Sequence, residues 1–422
     1  MDPAAEFDVV LYGPTGVTGR EVARHLARRA PALGLTWAVA GRSSERMSET
    51  LDMVGADPDA MLIADSADQR SIDTMVGSAT VVANLVGPYA RYGEPVYDAC
   101  ARLGRAELDL TGEVDWVRTM INRHEPSATA SGARIVPTAG FESLPFDLGA
   151  RLAAETAYER HGSPVVRVDV ACRTESTGSL SGMSDAVSGG TYTSGVEALR
   201  RGGADGFTDA HLLDPATSSA SGGYRIRPRR HSGTNEWLAP MVPSPFLNPP
   251  VAHRSAALLR AEGSATFAHD YEYVEGTVVA SILPGSARAA APAVAGALSA
   301  FQTGFGLVGR APAAVRGPIA DFATRIGPKP GEGPPVEKLD DWTYRLDVRA
   351  TCASGRHVDV VVEADGHPGY KSTATMVGEA ALLMADPNVE LPAGSGFLTP
   401  STALGIDHLD RFSEAACRFS VN

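Results

Sequence analysis

The sequence is poor in cysteine and in clustered metal ligands. Its 422 residues include four cysteines, none in a Cys-x-x-Cys pair, and its ten histidines show neither HxxxH nor HExxH spacing. These absences exclude a disulfide framework and argue against a zinc site. A Gly-x-Ser-x-Gly motif at a strand-to-helix turn is also missing, so an α/β-hydrolase is excluded. We expect a cytoplasmic protein with no metal in its site.

Basic residues are outnumbered, and long apolar runs are missing. The chain has 37 Lys and Arg against 50 Asp and Glu, a formal net charge of −13, which argues against a nucleic-acid partner and a polybasic membrane anchor.

The N-terminus has neither the basic region nor the apolar core of a signal peptide. No uninterrupted apolar run reaches the ~18–20 residues of a membrane helix. The nearest approach is 289–308, which has no charged residue. It predicts a buried or interfacial helix, with peripheral membrane or lipid contact as the alternative.

The length and composition indicate a two-lobed globular protein. A chain of 422 residues exceeds the size at which one hydrophobic core usually keeps growing. Its 44% hydrophobic and 21% charged shares are ordinary for such proteins. In the first third, short apolar runs alternate with helical patterns, as in βαβ units on a parallel sheet. The six predicted strands are 7–12, 35–40, 60–64, 80–86, 106–110 and 134–138.

Beyond Asp147 the pattern changes. Segments 165–171, 342–348 and 357–363 alternate apolar and polar residues with period two, which predicts a mostly antiparallel sheet, and 372–384 has a helical pattern. The predicted fold class is therefore α/β, a Rossmann-type doubly wound parallel sheet with a second α+β domain. The predicted domains are a dinucleotide-binding domain over 1–147, a substrate or dimerisation domain over 148–370, and a C-terminal segment, 371–422, that packs back on the first.

A glycine-rich loop separates the first predicted strand from the first helix. Gly13, Gly16 and Gly19 follow one another at a spacing of three. Gly13 suits a tight turn, Gly16 lets the backbone approach a pyrophosphate, and Gly19 permits close packing of helix on strand. The N–H groups at the helix start then face the phosphates. In this context the motif predicts a dinucleotide site, formed by the three glycines with Thr15, Val17 and Thr18.

The residues after the second predicted strand favour NADP(H) over NAD(H). An NAD-specific site places an Asp or Glu there, to hold the ribose 2′-hydroxyl. This chain instead has Arg42, Ser43 and Ser44, which can bind a 2′-phosphate. Asp65 and Ser66, after the third strand, are placed to contact the adenine, although an Asp there can also cap a helix.

The nicotinamide end is expected where the fourth strand ends. Gly87 and Pro88 follow that strand and are assigned to the cofactor site. Tyr89 and Tyr92 can line the crevice, and Tyr89 either donates a proton or packs against the cofactor. Glu113 is the second catalytic candidate, with the alternative that it caps the following helix.

Seven short motifs follow one another along the chain. They are Leu11-Tyr-Gly-Pro-Thr-Gly-Val-Thr-Gly19, Ala40-Gly-Arg-Ser43, Val86-Gly-Pro-Tyr89, Asp109-Leu-Thr-Gly-Glu113, Ser188-Gly-Gly-Thr191, Gly369-Tyr-Lys371 and Gly396-Phe-Leu-Thr-Pro400. In the same order they resemble motifs of the saccharopine dehydrogenase-like oxidoreductases, and most of all those of the mycobacterial trans-acting enoyl reductases. The resemblance runs from Phe7 to about Gly405.

The resemblance implies that NADPH supplies hydride to a lipid- or polyketide-type acyl double bond, on a small-molecule or carrier-bound substrate. A homodimer is a further expectation. The chain departs from its relatives at Glu142, where they usually carry Asp, and at Pro14, which removes one N–H from the phosphate loop. Glu142 lies near the expected lobe junction and is another candidate beside the crevice. Residues 188–194, at a predicted helix start, can offer N–H groups to an oxyanion, or form an ordinary helix cap.

Two other functions remain open. A saccharopine-type imine reductase or amino-acid dehydrogenase needs cationic clamps for carboxylates, and Arg173 is the one candidate that stands out. A non-catalytic NADP-binding accessory protein would bind the cofactor without turnover.

Overall fold

The structure is a computed structural model that describes residues 5–178, 189–202, 209–214, 227–241, 247–281, 289–327 and 334–422. Strands and helices alternate through the first lobe. They are β1 (Phe7–Tyr12), α1 (Val17–Leu33), β2 (Trp37–Gly41), α2 (Ser44–Val54), β3 (Ala60–Ile63), α3 (Gln69–Gly77), β4 (Ala79–Asn84), α4 (Tyr89–Tyr92), α5 (Glu94–Leu103), β5 (Ala106–Asp109), α6 (Val114–Ser131), β6 (Arg134–Val136) and α7 (Leu144–His161).

The remaining elements build the second lobe and return to the first. They are β7 (Val165–Ser176), α8 (Gly189–Arg201), β8 (Arg229–Arg230), β9 (Trp237–Ala239), α9 (Asn248–Ala261), β10 (Phe267–Val278), α10 (Ala291–Gly309), α11 (Ala313–Ile326), β11 (Trp342–Cys352), β12 (His357–Asp365), α12 (Thr373–Ala385), β13 (Gly396–Phe397), α13 (Pro400–Leu404) and β14 (Cys417–Val421).

The first sheet is parallel and has the order β13-β6-β5-β4-β1-β2-β3. All six predicted strands are present, and the prediction of a Rossmann-type sheet is confirmed. The fourth strand ends at Asn84 instead of residue 86, because the Asn84 side chain accepts a hydrogen bond from the Val86 backbone and turns the chain. The carboxyl ends of β1, β4, β5 and β6 form one edge, where such folds bind dinucleotides.

Helix α1 packs on this sheet through an apolar stripe. Val22, Ala23, Leu26 and Ala30 are fully buried in the core that the sheet shares with the second lobe. Their spacing of three and four places them on one helical face. The helix ends at Gly34, whose φ of 70° is left-handed and favours glycine. This face fixes the direction in which the N-terminus of α1 points.

The second sheet has the order β14-β12-β11-β7-β10-β9-β8. All its pairings are antiparallel except that between β7 and β10. This confirms the predicted mostly antiparallel sheet. The period-two segments became β7, β11 and β12, whereas β8, β9, β10 and β14 were not predicted. One face of the sheet packs against α7, and its side chains join the large core of the first lobe.

The C-terminal part of the chain contributes to both lobes. Helix α12 packs against α1, and the His25 ring bonds to Glu379 across this contact at 3.0 Å. Strand β13 then extends the first sheet beside β6, and β14 extends the second beside β12. The domain limits drawn from the sequence stay a prediction.

Helices α10 and α11 form a hairpin that exposes large apolar side chains. Phe301 and Leu307 on α10 are 73% and 61% exposed, and Phe322 and Ile326 on α11 are 62% and 59% exposed. By length and composition alone, α10 is apolar enough to cross a membrane. The prediction that this segment is buried is therefore wrong. A small apolar cluster of Ala239, Val279, Ala291 and Ala295 covers only one side of α10. The alternative of an interfacial helix therefore stays open.

Candidate functional site

The loop between β1 and α1 leaves a helix N-terminus open to an anion. Gly16, the N-cap residue of α1, is exposed, has no side-chain cap, and is followed by a first turn without acidic residues. Gly13 has φ +93°, and a Cβ there would lie 2.8 Å from Val86 Cγ2. The uncapped N–H groups and the positive end of the helix dipole suit a pyrophosphate. The residues present therefore fit a dinucleotide.

Gly19 lets the helix approach the loop. A Cβ at this position would lie 2.3 Å from the Gly13 carbonyl oxygen and 3.0 Å from Pro14. Thr15, Val17 and Thr18 are partly exposed around the helix start. The loop thus has the form that the sequence predicted, whereas its contact with a cofactor stays a prediction.

The ends of β2 and β3 lie beside this loop. Arg42 is exposed, and no ion pair engages it among the residues that the structure describes. Ser43 is the N-cap of α2, and its Oγ accepts a 3.3 Å bond from the Arg46 backbone. The Ser43 hydroxyl hydrogen is left to donate to a phosphate. This is the arrangement that the NADP(H) prediction requires.

Tyr12 links the ends of β1 and β3. Burial raises the pKa of the Tyr12 hydroxyl, which Ser66 hydrogen-bonds and which Asp65 and Arg42 approach. The Asp65 carboxylate accepts a 3.0 Å bond from the Ala67 backbone. Asp65 therefore shapes its own turn, and contact of Asp65 and Ser66 with adenine stays a prediction.

The Tyr89 hydroxyl forms two hydrogen bonds with backbone groups. It donates to the Asn84 carbonyl at 3.0 Å and accepts from the Leu110 N–H at 3.1 Å, beside the exposed Gly87 and half-buried Pro88. Burial, reinforced by the Asp109 charge, raises its pKa well above the usual range. A proton-donating role for Tyr89 stays a prediction, and this geometry favours the packing alternative. Tyr92 is 37% exposed nearby.

Glu113 ties the two lobes together. Its Oε1 accepts from the Tyr89 N–H at 2.9 Å, and its Oε2 accepts from Arg201 of α8 at 2.7 Å. Although Glu113 is the N-cap residue of α6, its side chain makes no cap hydrogen bond, so the capping alternative is wrong. The carboxylate turns away because the Arg201 charge and the Tyr89 amide bind it. Its catalytic role stays a prediction.

A buried pair of acids, Asp109 and Glu107, lies beneath this edge, and of the two only Glu107 was missed from the sequence. Asp109 accepts from the Tyr97 hydroxyl at 2.6 Å and from two backbone N–H groups, and burial raises its pKa to about 6. Glu107 is fully buried, and among the described residues its one hydrogen bond is the 3.2 Å bond from Asn84, so burial and the Asp109 charge raise its pKa well above the usual range. Burial therefore disfavours the ionised form of Glu107.

The loop after β6 brings the second lobe over the edge. Phe141 packs its ring 4.7 Å from that of Tyr344 on β11, and its N–H donates to Thr373 at 3.0 Å. Glu142 follows at the junction, as expected from the sequence. It is half-buried and has a partner within the chain.

A second acid was missed at the junction. Glu275 of β10 is 3% exposed, and burial raises its pKa to about 7. Its Oε2 accepts from Asn248 Nδ2 at 2.8 Å and from the Tyr273 hydroxyl at 2.9 Å. Neither β10 nor the start of α9 carried a pattern that the sequence analysis used, so no signal marked this pair.

Other predicted groups fall outside the edge. Arg173 is paired with Glu236 at 2.7 Å. Within the 188–194 motif, α8 begins at Gly189, Ser188 lies outside the described residues, and Tyr192 donates to the Ala323 carbonyl of α11. Among the described residues no group of three or more His, Cys, Asp or Glu side chains is placed to hold a metal.

Comparison with known proteins identifies relatives over nearly the whole chain. A trans-acting enoyl reductase of Mycobacterium tuberculosis is 30% identical over 423 residues, which cover 96% of this chain and 95% of the relative. One of Mycobacterium leprae is 31% identical over 430 residues, with 97% and 96% covered. No family model matches the chain. Among solved structures, the L-Glu-forming saccharopine dehydrogenase of Saccharomyces cerevisiae matches 98% of this chain and 99% of its own, with a TM-score of 0.53 and 12% identity.

Proposed function

Because this chain belongs to the family of the trans-acting enoyl reductases, we propose that it is an NADPH-dependent reductase of α,β-unsaturated acyl substrates. The observation that carries the cofactor part is the open N-terminus of α1 beside Arg42 and Ser43. The relatives' name supports the acyl part, and its words "trans-acting" support a substrate presented by a separate carrier. An oxidoreductase role itself agrees with the saccharopine dehydrogenase fold.

The residues at the carboxyl edge of the first sheet have distinct roles in this reaction. The N–H groups at Gly16 to Gly19 hold the pyrophosphate, and Arg42 with the Ser43 hydroxyl holds the 2′-phosphate. NADPH, when bound, supplies the hydride. Phe141 and the ordered Tyr89 ring give the crevice apolar walls that exclude water. The protein's main contribution is placement of the acyl double bond, which is a large part of the barrier reduction in such reactions.

The charges at the junction favour an uncharged substrate over an amino acid. A substrate with two carboxylates needs cationic clamps, yet the charge of Arg201 is paired with Glu113 and that of Arg173 with Glu236. Two alternatives are tested beside this proposal. One is an imine reductase, which the saccharopine dehydrogenase fold suggests, and the other is a non-catalytic cofactor-binding protein.

Binding of NADPH and NADH tests the cofactor part. Titrations followed by nicotinamide fluorescence compare the wild type with Arg42→Glu and with the matched control Arg46→Glu, one turn along α2. We expect Arg42→Glu to weaken NADPH binding at least about tenfold and to leave NADH binding nearly unchanged, since a charged hydrogen bond contributes about 1.5–3 kcal/mol. Equal losses for both cofactors, or none, would contradict the assignment.

Turnover tests the substrate part. Oxidation of NADPH is followed with a trans-2-enoyl thioester, on coenzyme A and on an acyl carrier protein, and with a panel of oxo acids and amino acids. We expect turnover with the thioesters only. Turnover with the amino-acid panel would instead support the imine reductase, and binding without any turnover would support the accessory protein.

We also propose that the α10–α11 hairpin contacts a lipid surface. Its exposed apolar side chains include Phe301, Leu307 and Phe322, and α10 has no charged residue. Co-sedimentation with phosphatidylcholine vesicles should be lost in the double variant Phe301→Ser, Phe322→Ser, and kept in Met53→Ser, which removes an exposed apolar side chain from the first lobe. Vesicle binding equal in all three proteins would refute this proposal.

A further inference from the structure

Two oxygen atoms at the lobe junction are buried without a partner among the residues that the structure describes. They are Oε1 of Glu275 and Oδ1 of Asn248, whose side chains bond to each other through their other polar atoms at 2.8 Å. Glu275 is 3% exposed and Asn248 is 1% exposed. A buried polar atom left unpaired costs roughly 1–3 kcal/mol, and such atoms are rare in native proteins. A bound group that pairs with both would remove this cost.

The pair lies where the lobes meet. Glu275 is on the face of the second sheet that carries Cys172, and the Glu275 and Glu142 carboxyls add to burial in raising the pKa of the Cys172 thiol. Asn248 begins α9, whose adjoining residues Leu247 and Val251 pack into a core of the first lobe. Glu142 comes from the loop at the carboxyl edge of the first sheet. Parts of both lobes therefore lie close to the Glu275–Asn248 pair.

The chemistry of the pair fits an uncharged group. Since the pKa of Glu275 is about 7, a large fraction is neutral at physiological pH, and its free oxygen can then carry the proton and donate. The free Asn248 oxygen can only accept. A carboxylate would meet the charge of Glu142 and of any ionised Glu275, and Arg229, the cation that faces Glu275, is already paired with Asp169 at 2.6 Å.

We propose that Glu275 and Asn248 form a binding site for an uncharged hydrogen-bonding group of the substrate, a carbonyl or amide of a thioester-linked acyl chain, and that this pair rejects carboxylates. This inference rests on the proposed function and names the part of the site that selects its substrate class. Glu275 donates to the carbonyl oxygen, and Asn248 accepts from an N–H group or hydroxyl beside it.

The pair makes substrate binding dependent on pH. The groups that face Glu275 are Tyr273 on its own strand, Asn248 on α9, Cys172 on β7 and Arg229 on β8, with Glu142 opposite Cys172. Arg229 opposes the effect of burial on the pKa of Glu275. As pH rises through about 7, Glu275 loses its proton and with it the donated hydrogen bond. The KM for the enoyl thioester should then rise, while NADPH binding stays constant.

Steady-state kinetics between pH 6 and pH 9 test the inference. We expect Glu275→Gln, which keeps a donor at every pH, to remove the rise in KM. Asn248→Ala should raise KM about three- to tenfold at pH 7, as loss of one neutral hydrogen bond does, with kcat changed less. Asp270→Asn, an exposed position on β10, is the matched control. Circular dichroism and NADPH titration establish that each variant is folded.

Calorimetry separates this inference from the proposed function. Binding of a saturated acyl thioester to the NADP⁺-bound protein is measured at pH 6 and pH 8.5, and it needs no turnover. Weaker binding at pH 8.5 in the wild type but not in Glu275→Gln supports the site, even if no enoyl thioester is reduced. Identical pH dependence in the two proteins overturns it, even if turnover is observed, as does tighter binding of a dicarboxylate in the wild type.

Discussion

Neutralising Glu379 should destabilise the contact between α1 and α12 by a predictable amount. Its buried carboxylate receives hydrogen bonds from His25 at 3.0 Å, Arg29 at 3.2 Å and Arg411 at 2.9 Å. These partners outweigh burial and lower its pKa from 4.5 to about 2. A pKa unit corresponds to about 1.36 kcal/mol, so Glu379→Gln should lower the free energy of unfolding by roughly 3 kcal/mol at pH 7.

The pH dependence gives this prediction its sign. A lowered carboxyl pKa contributes stability that is fully present above the unfolded value of about 4.5 and is lost as pH falls towards about 2. Urea unfolding, followed by tryptophan fluorescence, should therefore show a difference between wild type and variant that shrinks between pH 5 and pH 3.

The control for Glu379 is a neighbouring exposed carboxylate. Glu414→Gln removes a group that is 56% exposed and 3.6 Å from Arg29, and it should cost less than about 1 kcal/mol. An effect of Glu379→Gln no larger than that of Glu414→Gln, or a difference that does not change with pH, would refute the reasoning.

Three other substitutions test the site and its support. Gly19→Ala should abolish NADPH binding, measured by fluorescence titration, because its Cβ would lie 2.3 Å from the Gly13 carbonyl, whereas Gly317→Ala meets nothing within 4 Å and should bind normally. Tyr89→Phe should keep kcat within about threefold, since its hydroxyl serves the backbone; a loss of about a hundredfold would restore Tyr89 as a proton donor. Glu107→Gln should have a melting temperature at pH 8 equal to or above that of the wild type. The difference in melting temperature should grow in favour of the variant between pH 5 and pH 8, because a carboxyl group with a raised pKa costs stability as pH rises. A variant with a lower melting temperature than the wild type at pH 8 would contradict this.

Local patterns predicted the first lobe well. The strand β1, the loop from Gly13 to Gly19 and the face of α1 all depend on neighbours within about twenty residues, so the sequence displays them directly. Strands of two or three residues, such as β8, β9 and β13, are too short to show a period and form only because longer strands offer edges.

The chemistry of the site was harder to predict. The sequence left Tyr89 open between a proton donor and a packing role, because its two backbone partners, Asn84 and Leu110, lie at the ends of different strands. It left Glu113 open between a catalytic role and a helix cap, because its partner Arg201 is 88 residues away. Glu275 and Asn248 were missed for the same reason. Their pairing depends on α9 packing against β10, which no local pattern reveals.

Transfer of deuterium from NADPH that carries deuterium at both hydride positions of its nicotinamide ring tests the central claim most directly. The wild-type protein is incubated with labelled NADPH and a trans-2-enoyl thioester, and the product is examined by mass spectrometry and NMR. Our account predicts a saturated thioester with one deuterium on the β-carbon. An unlabelled or unchanged thioester, with deuterium transferred instead to the product of an imine or oxo-acid substrate, would contradict it.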